Sequence, residues 1–362
     1  MRIACINQDR GIAPSRSKGA AVHLAAMRHA FTQQGCEVIA LDNPDSEALE
    51  SAMEQAFTGG IDLIYERYAL GRDTAARFAR RRKIPFVLEV NSPLREEAFK
   101  YRGVEATTED IERDAFLFAH AEYIVAVSSA VADYARACGA HADRIGVHPN
   151  GVDLEQFNAR VDGSRVRRRL GIQDKFVIGF HGRERPWHGF EALVEVVERL
   201  LSQRLAVHLL VVGQGDFDAL SSIPQSAWSR VGWQPHEQVP QFVSAFDALP
   251  LTYQPDTPSY FSPLKLMEAM ACGVVPVVPN YGDLTHIVTH GSSGRVYPAG
   301  NLDCLCAELE DLALHGDVAN ELGNNAAEVA HAHSWSAIAQ AVLGQVRGFD
   351  HKAVIAKGGA GS

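Results

Sequence analysis

A lysine and a glutamate, three residues apart, interrupt the apolar stretch Tyr260-Phe261-Ser262-Pro263-Leu264-Lys265-Leu266-Met267-Glu268-Ala269-Met270-Ala271-Cys272-Gly273. Ser262 is a capping residue type and Pro263 suits a first helical position, so the spacing predicts a helix over 263–272, stopped by Gly273. The free amides and dipole of such a helix start make an anion site. A cation at Lys265 is disfavoured there unless an anion joins it, and Glu268 lies about one turn deeper on nearly the same face. Lysine suits a phosphate and a carboxylate suits paired hydroxyls, which together match the diphosphate and ribose of a nucleotide. A surface ion pair on an amphipathic helix accounts for the same two residues about equally well.

A second constellation is the loop Gly182-Arg183-Glu184-Arg185-Pro186-Trp187-His188-Gly189, between a buried strand and a helix. Arg183, Arg185 and His188 form a cationic lip, and the arginine fork suits diphosphate oxygens. Pairing of either arginine with Glu184 in a solvated loop is the plainer alternative. Ser15-Arg16-Ser17-Lys18-Gly19 precedes the first predicted helix, where Gly19 lets backbone approach a ligand. It lacks the P-loop spacing, and Gly213-Gln214-Gly215 lacks the third glycine of a dinucleotide-binding turn. No H-E-x-x-H or G-x-S-x-G occurs, so the sequence gives no reason to expect a zinc-protease site or a hydrolase nucleophile. His23, on a predicted helix, reads as a core or capped histidine, and Asp153 and Glu155 as turn residues.

The elements that must position these groups alternate regularly. Apolar runs at 2–7, 37–41, 62–67, 85–90 and 123–128 read as strands with helices between them, the first helix spanning 20–34. A second series has strands at 176–182, 206–213, 228–233, 248–253, 274–279 and 294–298, with helices at 189–203, 236–245, 263–272, 303–314 and 317–331. A last helix, 334–348, follows Ser334 as its cap. The expected fold is α/β: two Rossmann-like, doubly wound parallel-sheet domains facing across a cleft, with ligands at the carboxyl ends of the strands. The domains are drawn at 1–160 and 161–333, followed by a C-terminal helix at 334–350 and a flexible tail at 351–362.

Composition bounds the function. The chain has 362 residues, 46% hydrophobic and 22% charged, with a net charge of −10, which argues for a soluble protein without general nucleic-acid affinity. Arg80-Arg81-Arg82-Lys83 and Arg165-Val166-Arg167-Arg168-Arg169 read as solvated helix faces; a membrane-surface role for the first stays open. Six scattered cysteines without a C-x-x-C pair read as reduced, in a cytoplasmic protein. The start of the chain does not read as a signal peptide, and no apolar run is long enough to span a membrane.

Taken in order, "HPNGVDLEQF", "GRERPWHG" and "SPLKLMEAMACGVVPVVPNYGDLTHIVTHGSSGRVYPAGN" resemble the retaining family 4 glycosyltransferases of the GT-B fold, across nearly the whole chain. The resemblance implies an acceptor-binding N-terminal domain, a donor-binding C-terminal domain, and a last helix crossing back to the first. In that family two glutamates mark the helix start. The second falls on Glu268, whose implied role is to hold ribose hydroxyls. The first falls on position 260, here Tyr260, which removes the usual carboxylate contact to the sugar.

The family's diphosphate-gripping Arg/Lys pair falls on Arg183 and His188, with Arg185 and Lys265 available to supply the missing charge. If His188 is a cation, donor binding weakens as pH rises through its pKa. Arg183, Lys265 and Glu268 are thus the implied catalytic residues, and Gly19, Gly182, Arg185, His188, Tyr260, Ser262 and Leu264 the implied donor-binding ones. Pro263 replaces a frequent glycine and removes one backbone donor. Asn91 stands about where the family often has a histidine, which makes Glu89, Asn91 and Arg95 the acceptor-side candidates.

The activity so implied is transfer of a sugar from a UDP- or GDP-sugar to a hydroxyl acceptor, with retention of configuration and without a metal or other cofactor. The acceptor could be a lipid-linked glycan, a polysaccharide or a small molecule, and peripheral contact with the inner face of a membrane stays open. A nucleotide-sugar 2-epimerase of the same fold and a non-catalytic sugar-nucleotide-binding protein are the alternatives.

Overall fold

The structure, a computed structural model, describes residues 1–9, 11–12, 19–256 and 258–358. The chain divides into two compact units. The first comprises Met1–Asn150, Tyr260–Ser262 and the segment from Trp335 onward; the second comprises Gly151–Ser259 and Pro263–Ser334. The division falls at Asn150, short of the expected 160, and the first unit takes back three residues of the loop before the Lys265 helix.

In the first unit the strands are β1 (Arg2–Asn7), β2 (Glu37–Asp42), β3 (Leu63–Arg67), β4 (Phe86–Val90), β5 (Tyr123–Ala126) and β6 (Ile145–Val147). They form one parallel sheet in the order β2-β1-β3-β4-β5-β6. Every residue of β3 and β4 is buried, as expected of parallel strands covered by helices on both faces. The core includes Ile6, Ile64, Phe78, Leu88, Phe118 and Ile124. The final helix, Trp335–Gly358, belongs to this unit and extends beyond the expected end at 350, so eight residues of the expected tail, 351–358, are helical; the last four, 359–362, lie outside the described residues.

In the second unit β7 (Phe176–Arg183), β8 (Val207–Gln214), β9 (Trp228–Val231), β10 (Ala248–Pro250), β11 (Val275–Pro279) and β12 (Arg295–Tyr297) form a parallel sheet in the order β12-β11-β10-β7-β8-β9. The winding direction reverses between β7 and β10, where a doubly wound sheet leaves a crevice at the carboxyl ends of its strands. Apolar layers cover both faces, one around Leu251, Leu266 and Met270, the other around Phe180, Phe190 and Val197. The helix expected at 236–245 is shorter, a 3-10 turn at His236–Gln238 followed by Val239–Val243. Pro240 lacks the amide that a helix interior needs, so it is confined to the first turn.

Candidate functional site

Two segments leave the sheet on either side of the β7/β10 switch point. β7 ends on Arg183, and the loop that follows holds Arg185 and His188; after β10 comes the helix Leu264–Ala271, holding Lys265 and Glu268. Gly213, at the end of β8, has φ +140, and a Cβ there would come within 1.9 Å of the Gly182 carbonyl. Only glycine allows the ends of β7 and β8 to run so close, and Gly182 itself sits at φ +104 beside the exposed Arg183.

Glu268 is buried at 8% exposure. Its Oε1 accepts a hydrogen bond from His236 Nε2 at 2.9 Å, and His181 Nδ1 lies 3.6 Å from Oε2. Burial opposes the charge, but His236, His181 and Lys265 outweigh it and hold the carboxyl below its ordinary value. The same hydrogen bond raises the pKa of His236, whose ring also packs 5.3 Å from that of Phe157. Burial drives His181 the other way, down to about 4. Its Nε2 lies 3.3 Å from the Lys265 carbonyl, which ties β7 to the first turn of the helix.

Lys265 is partly buried, with Nζ 4.7 Å from the centre of the Phe180 ring and 3.4 Å from His188 Nε2. Burial lowers its pKa to about 8, against the opposing pull of Glu268 and Glu184. His188 is held down to about 2 by burial and by the neighbouring Lys265 and Arg185. This depression works against a cationic His188, whose Nε2 faces the lysine ammonium. Arg183 donates to Gln214 Oε1 at 3.0 Å, and Arg185 lies over the Trp187 ring; both remain solvent-accessible.

The expected cap is corrected. Pro263 occupies the N-cap position without a side-chain hydrogen bond, and Leu264 is the first helical residue. Ser262 instead belongs to the first unit, where its hydroxyl accepts from the Asn150 amide at 2.7 Å and its carbonyl from Asn150 Nδ2. Tyr260 is in the first unit as well. It packs against that core, its carbonyl accepts from Ser128 Oγ at 3.0 Å, and burial together with Glu97 and Tyr101 raises its hydroxyl pKa. The residues from Tyr260 to Glu268 that were grouped as one donor element are thus shared between the two units.

The acceptor-side candidates have separate partners within the first unit. Glu89, at 0% exposure, accepts from Tyr65 at 2.5 Å and Arg67 at 2.8 Å, and its Oε2 is 2.9 Å from His23 Nε2. Burial works against its charge, yet His23, Arg67 and Tyr65 bring the pKa down to about 2. His23 Nδ1 lies 2.7 Å from Asn150 Oδ1, so both ring nitrogens face oxygen acceptors. Asn91 follows β4 and keeps its Oδ1 buried. Arg95 donates to Cys138 Sγ at 3.0 Å and lies 3.6 Å from Asp114. Gly19 is exposed at the start of the helix Gly19–Gln33, while Ser15–Lys18 lie outside the described residues.

Sequence reasoning passed over His181 and the donating role of His236. Both act through contacts made by folding, and the only local signals were a histidine inside a buried strand and one closing the loop after β9. Among the described residues no group of three histidine, cysteine, aspartate or glutamate side chains is arranged to hold a metal ion, and no helix is long and apolar enough to cross a membrane.

Comparison with known proteins adds the following. A family model described as Glycosyltransferase Family 4 matches residues 47–156, and one described as Glycosyl transferases group 1 matches residues 175–315, together more than half of the chain. A D-inositol 3-phosphate glycosyltransferase of Kribbella flavida is 29% identical over 224 residues, which cover 58% of this chain and 52% of that protein. A phosphatidyl-myo-inositol mannosyltransferase of Mycobacterium tuberculosis is 27% identical over 225 residues, covering 59% and 57%. The chain spans about half the length of the curated relatives it matches. Among solved structures, Anabaena HepE in complex with UDP superposes with a TM-score of 0.74 at 20% identity, covering 96% of this chain and all of that one. Sucrose-phosphate synthase from Thermosynechococcus elongatus gives 0.71 at 18% identity, covering 97% and 99%. At these identities the likeness shows the fold.

Proposed function

The chain belongs to the group 1, family 4 glycosyltransferases and has their two-sheet GT-B fold, and from that premise we propose that it moves a sugar from a nucleoside-diphosphate sugar to an acceptor hydroxyl, retaining anomeric configuration without a metal ion. What supports this reading is that Arg183 ends β7 and that the helix bearing Lys265 and Glu268 follows β10, the two strands flanking the switch point. Cations and helix amides on one side of a carboxylate suit a diphosphate joined to a ribose.

In the proposed reaction the bond between the anomeric carbon and the diphosphate oxygen breaks, and its electron pair leaves with the diphosphate. Arg183, Lys265 and the start of the helix Leu264–Ala271 stabilise that charge, the role a metal ion would otherwise fill. The acceptor oxygen bonds to the same face of the sugar, and its proton passes to the departing diphosphate oxygen. Glu268 holds the ribose, so binding energy remote from the reacting carbon fixes the donor's position. The first unit is assigned the acceptor, and its class is left at a hydroxyl on a glycan, lipid or polyol. We place the reaction in the cytoplasm; the six free cysteines fit a reducing compartment.

The test is incubation with UDP- and GDP-sugars, with and without acceptors. The acceptors include inositol phosphates and phosphatidylinositol vesicles, because the relatives above are named for inositol substrates. Expected are a glycoside of retained configuration by NMR, undiminished by EDTA, and slow donor hydrolysis without acceptor. Epimerised donor would establish the epimerase alternative, and binding without turnover the non-catalytic one. Inverted product or loss of activity with EDTA would remove those two parts of the proposal.

A further inference from the structure

The ribose-holding carboxylate has a dedicated partner that nothing in its own helix supplies. Glu268 lies among apolar neighbours Leu266, Met267 and Met270, and an ionised carboxylate so placed needs hydrogen-bond donors. His236 supplies one, from the loop after β9, at 2.9 Å to Oε1. The imidazole is braced against Phe157. The acids Asp153 and Glu237 and the bases His181 and Lys265 complete the charges around the pair. A carboxylate has about four lone-pair sites, so one histidine bond fixes its plane and leaves room for two hydroxyls.

We propose that His236 is a positioning residue: it orients Glu268 before the nucleotide arrives, and so sets selectivity for a ribose over a 2′-deoxyribose donor. The inference rests on the proposed role of Glu268 as the ribose contact. His236 acts through Glu268 and touches no reacting atom. Its effect therefore belongs in nucleotide affinity and KM, with kcat at saturating donor little changed. A preorganised acceptor costs no reorientation on binding, whereas a freed carboxylate turns towards His181 or Lys265 and must be recovered.

The experiment is calorimetric titration of the full chain with UDP, GDP and their 2′-deoxy counterparts, for wild type, His236→Phe and His236→Gln. Expected is a roughly tenfold weaker Kd for the ribonucleotide in His236→Phe, with a clearly smaller loss for the deoxynucleotide, which keeps one of the two hydroxyls. Gln can still donate to Oε1, so His236→Gln should recover most of the discrimination. Donor KM should follow the same order while kcat stays within about twofold. Equal losses for ribo- and deoxynucleotide, or no recovery in His236→Gln, would mean a merely structural role. Tighter binding in His236→Phe would mean that the ring blocks the carboxylate. Either result overturns the proposal. A wild type that binds none of these nucleotides would instead overturn the proposed function, and the positioning role with it.

Discussion

Lys265 and His188 meet nitrogen to nitrogen, Nζ 3.4 Å from Nε2, and only one of the two carries charge. With the lysine lowered to about 8 and the imidazole to about 2, the ammonium is the donor and the ring its acceptor at neutral pH. In the proposed diphosphate site the charge of this pair is thus concentrated on Lys265.

The pH dependence follows from that concentration. Lys265 is charged below about 8 and neutral above it, so nucleoside-diphosphate affinity should fall as pH rises through that value. The decline should approach roughly tenfold per unit until the bound anion's own stabilising effect is lost. Because the folded value lies below the ordinary one, the unliganded fold gains stability over the same rise. UDP titrations from pH 6 to 9.5 should show a limb that disappears in Lys265→Met. A limb below pH 7 that survives in Lys265→Met would restore a charge-bearing role to His188.

Glu268→Ala should lower kcat/KM by about two orders of magnitude or more, roughly 2.7 kcal/mol of lost transition-state binding. It removes the ribose contact and leaves His236 without its acceptor. Steady-state kinetics with a donor found active for the wild type decide the point. Unimpaired turnover would end the assignment of the site.

In the first unit, Glu89→Ala should cost about 3–5 kcal/mol of stability, because Arg67 would keep a buried positive charge without its counterion and His23 would lose an acceptor. Its pKa falls from 4.5 to about 2 on folding. The stabilisation is complete above the ordinary value and is lost as pH falls from about 4.5 through 2. Urea unfolding across that range should show the acid-side loss in the wild type and a flatter profile in the variant.

Tyr260→Glu installs the glutamate that the family resemblance implies at this position, yet it should not improve donor use. The side chain at this position packs against the first unit's core beside Glu97, so a carboxylate there meets burial and a like charge. A loss on the order of 2–4 kcal/mol is expected, readable as a lower Tm, with donor KM unimproved. A variant of wild-type stability and better donor affinity would return Tyr260 to the sugar site.

The fold was largely legible because its strands are buried on both faces, which writes each as an apolar run: Phe176–Arg183 and Val275–Pro279 lie where such runs predict. Strand β6 was missed since Ile145-Gly146-Val147 offers only two apolar side chains between polar flanks, too short a run to establish a pattern. Lys265 and Glu268 stood out for the opposite reason, as charges without cause in an apolar helix. What could not be read was pairing across sequence. Ser262 has the chemistry of a cap, but Asn150, 112 residues away, claims its hydroxyl. His236 shows its role only against Glu268, 32 residues on. Composition likewise could not reveal that Arg95 would be engaged by Cys138 and Asp114.

The three residues Tyr260–Ser262, lodged in a unit whose other pieces end at Asn150 and resume at Trp335, bear on how the protein can be rebuilt. Neither half is a contiguous gene fragment. Cutting after residue 150 would strip the first unit of the segment that Ser128 and Asn150 hold and of the helix bearing Trp335, which meets His23 edge to face. A chimera meant to pair this first unit with the second unit of another glycosyltransferase must carry all three pieces of the first unit. Swapped at a single crossover, it would inherit a foreign tripeptide in the place where Tyr260 and Ser262 fit.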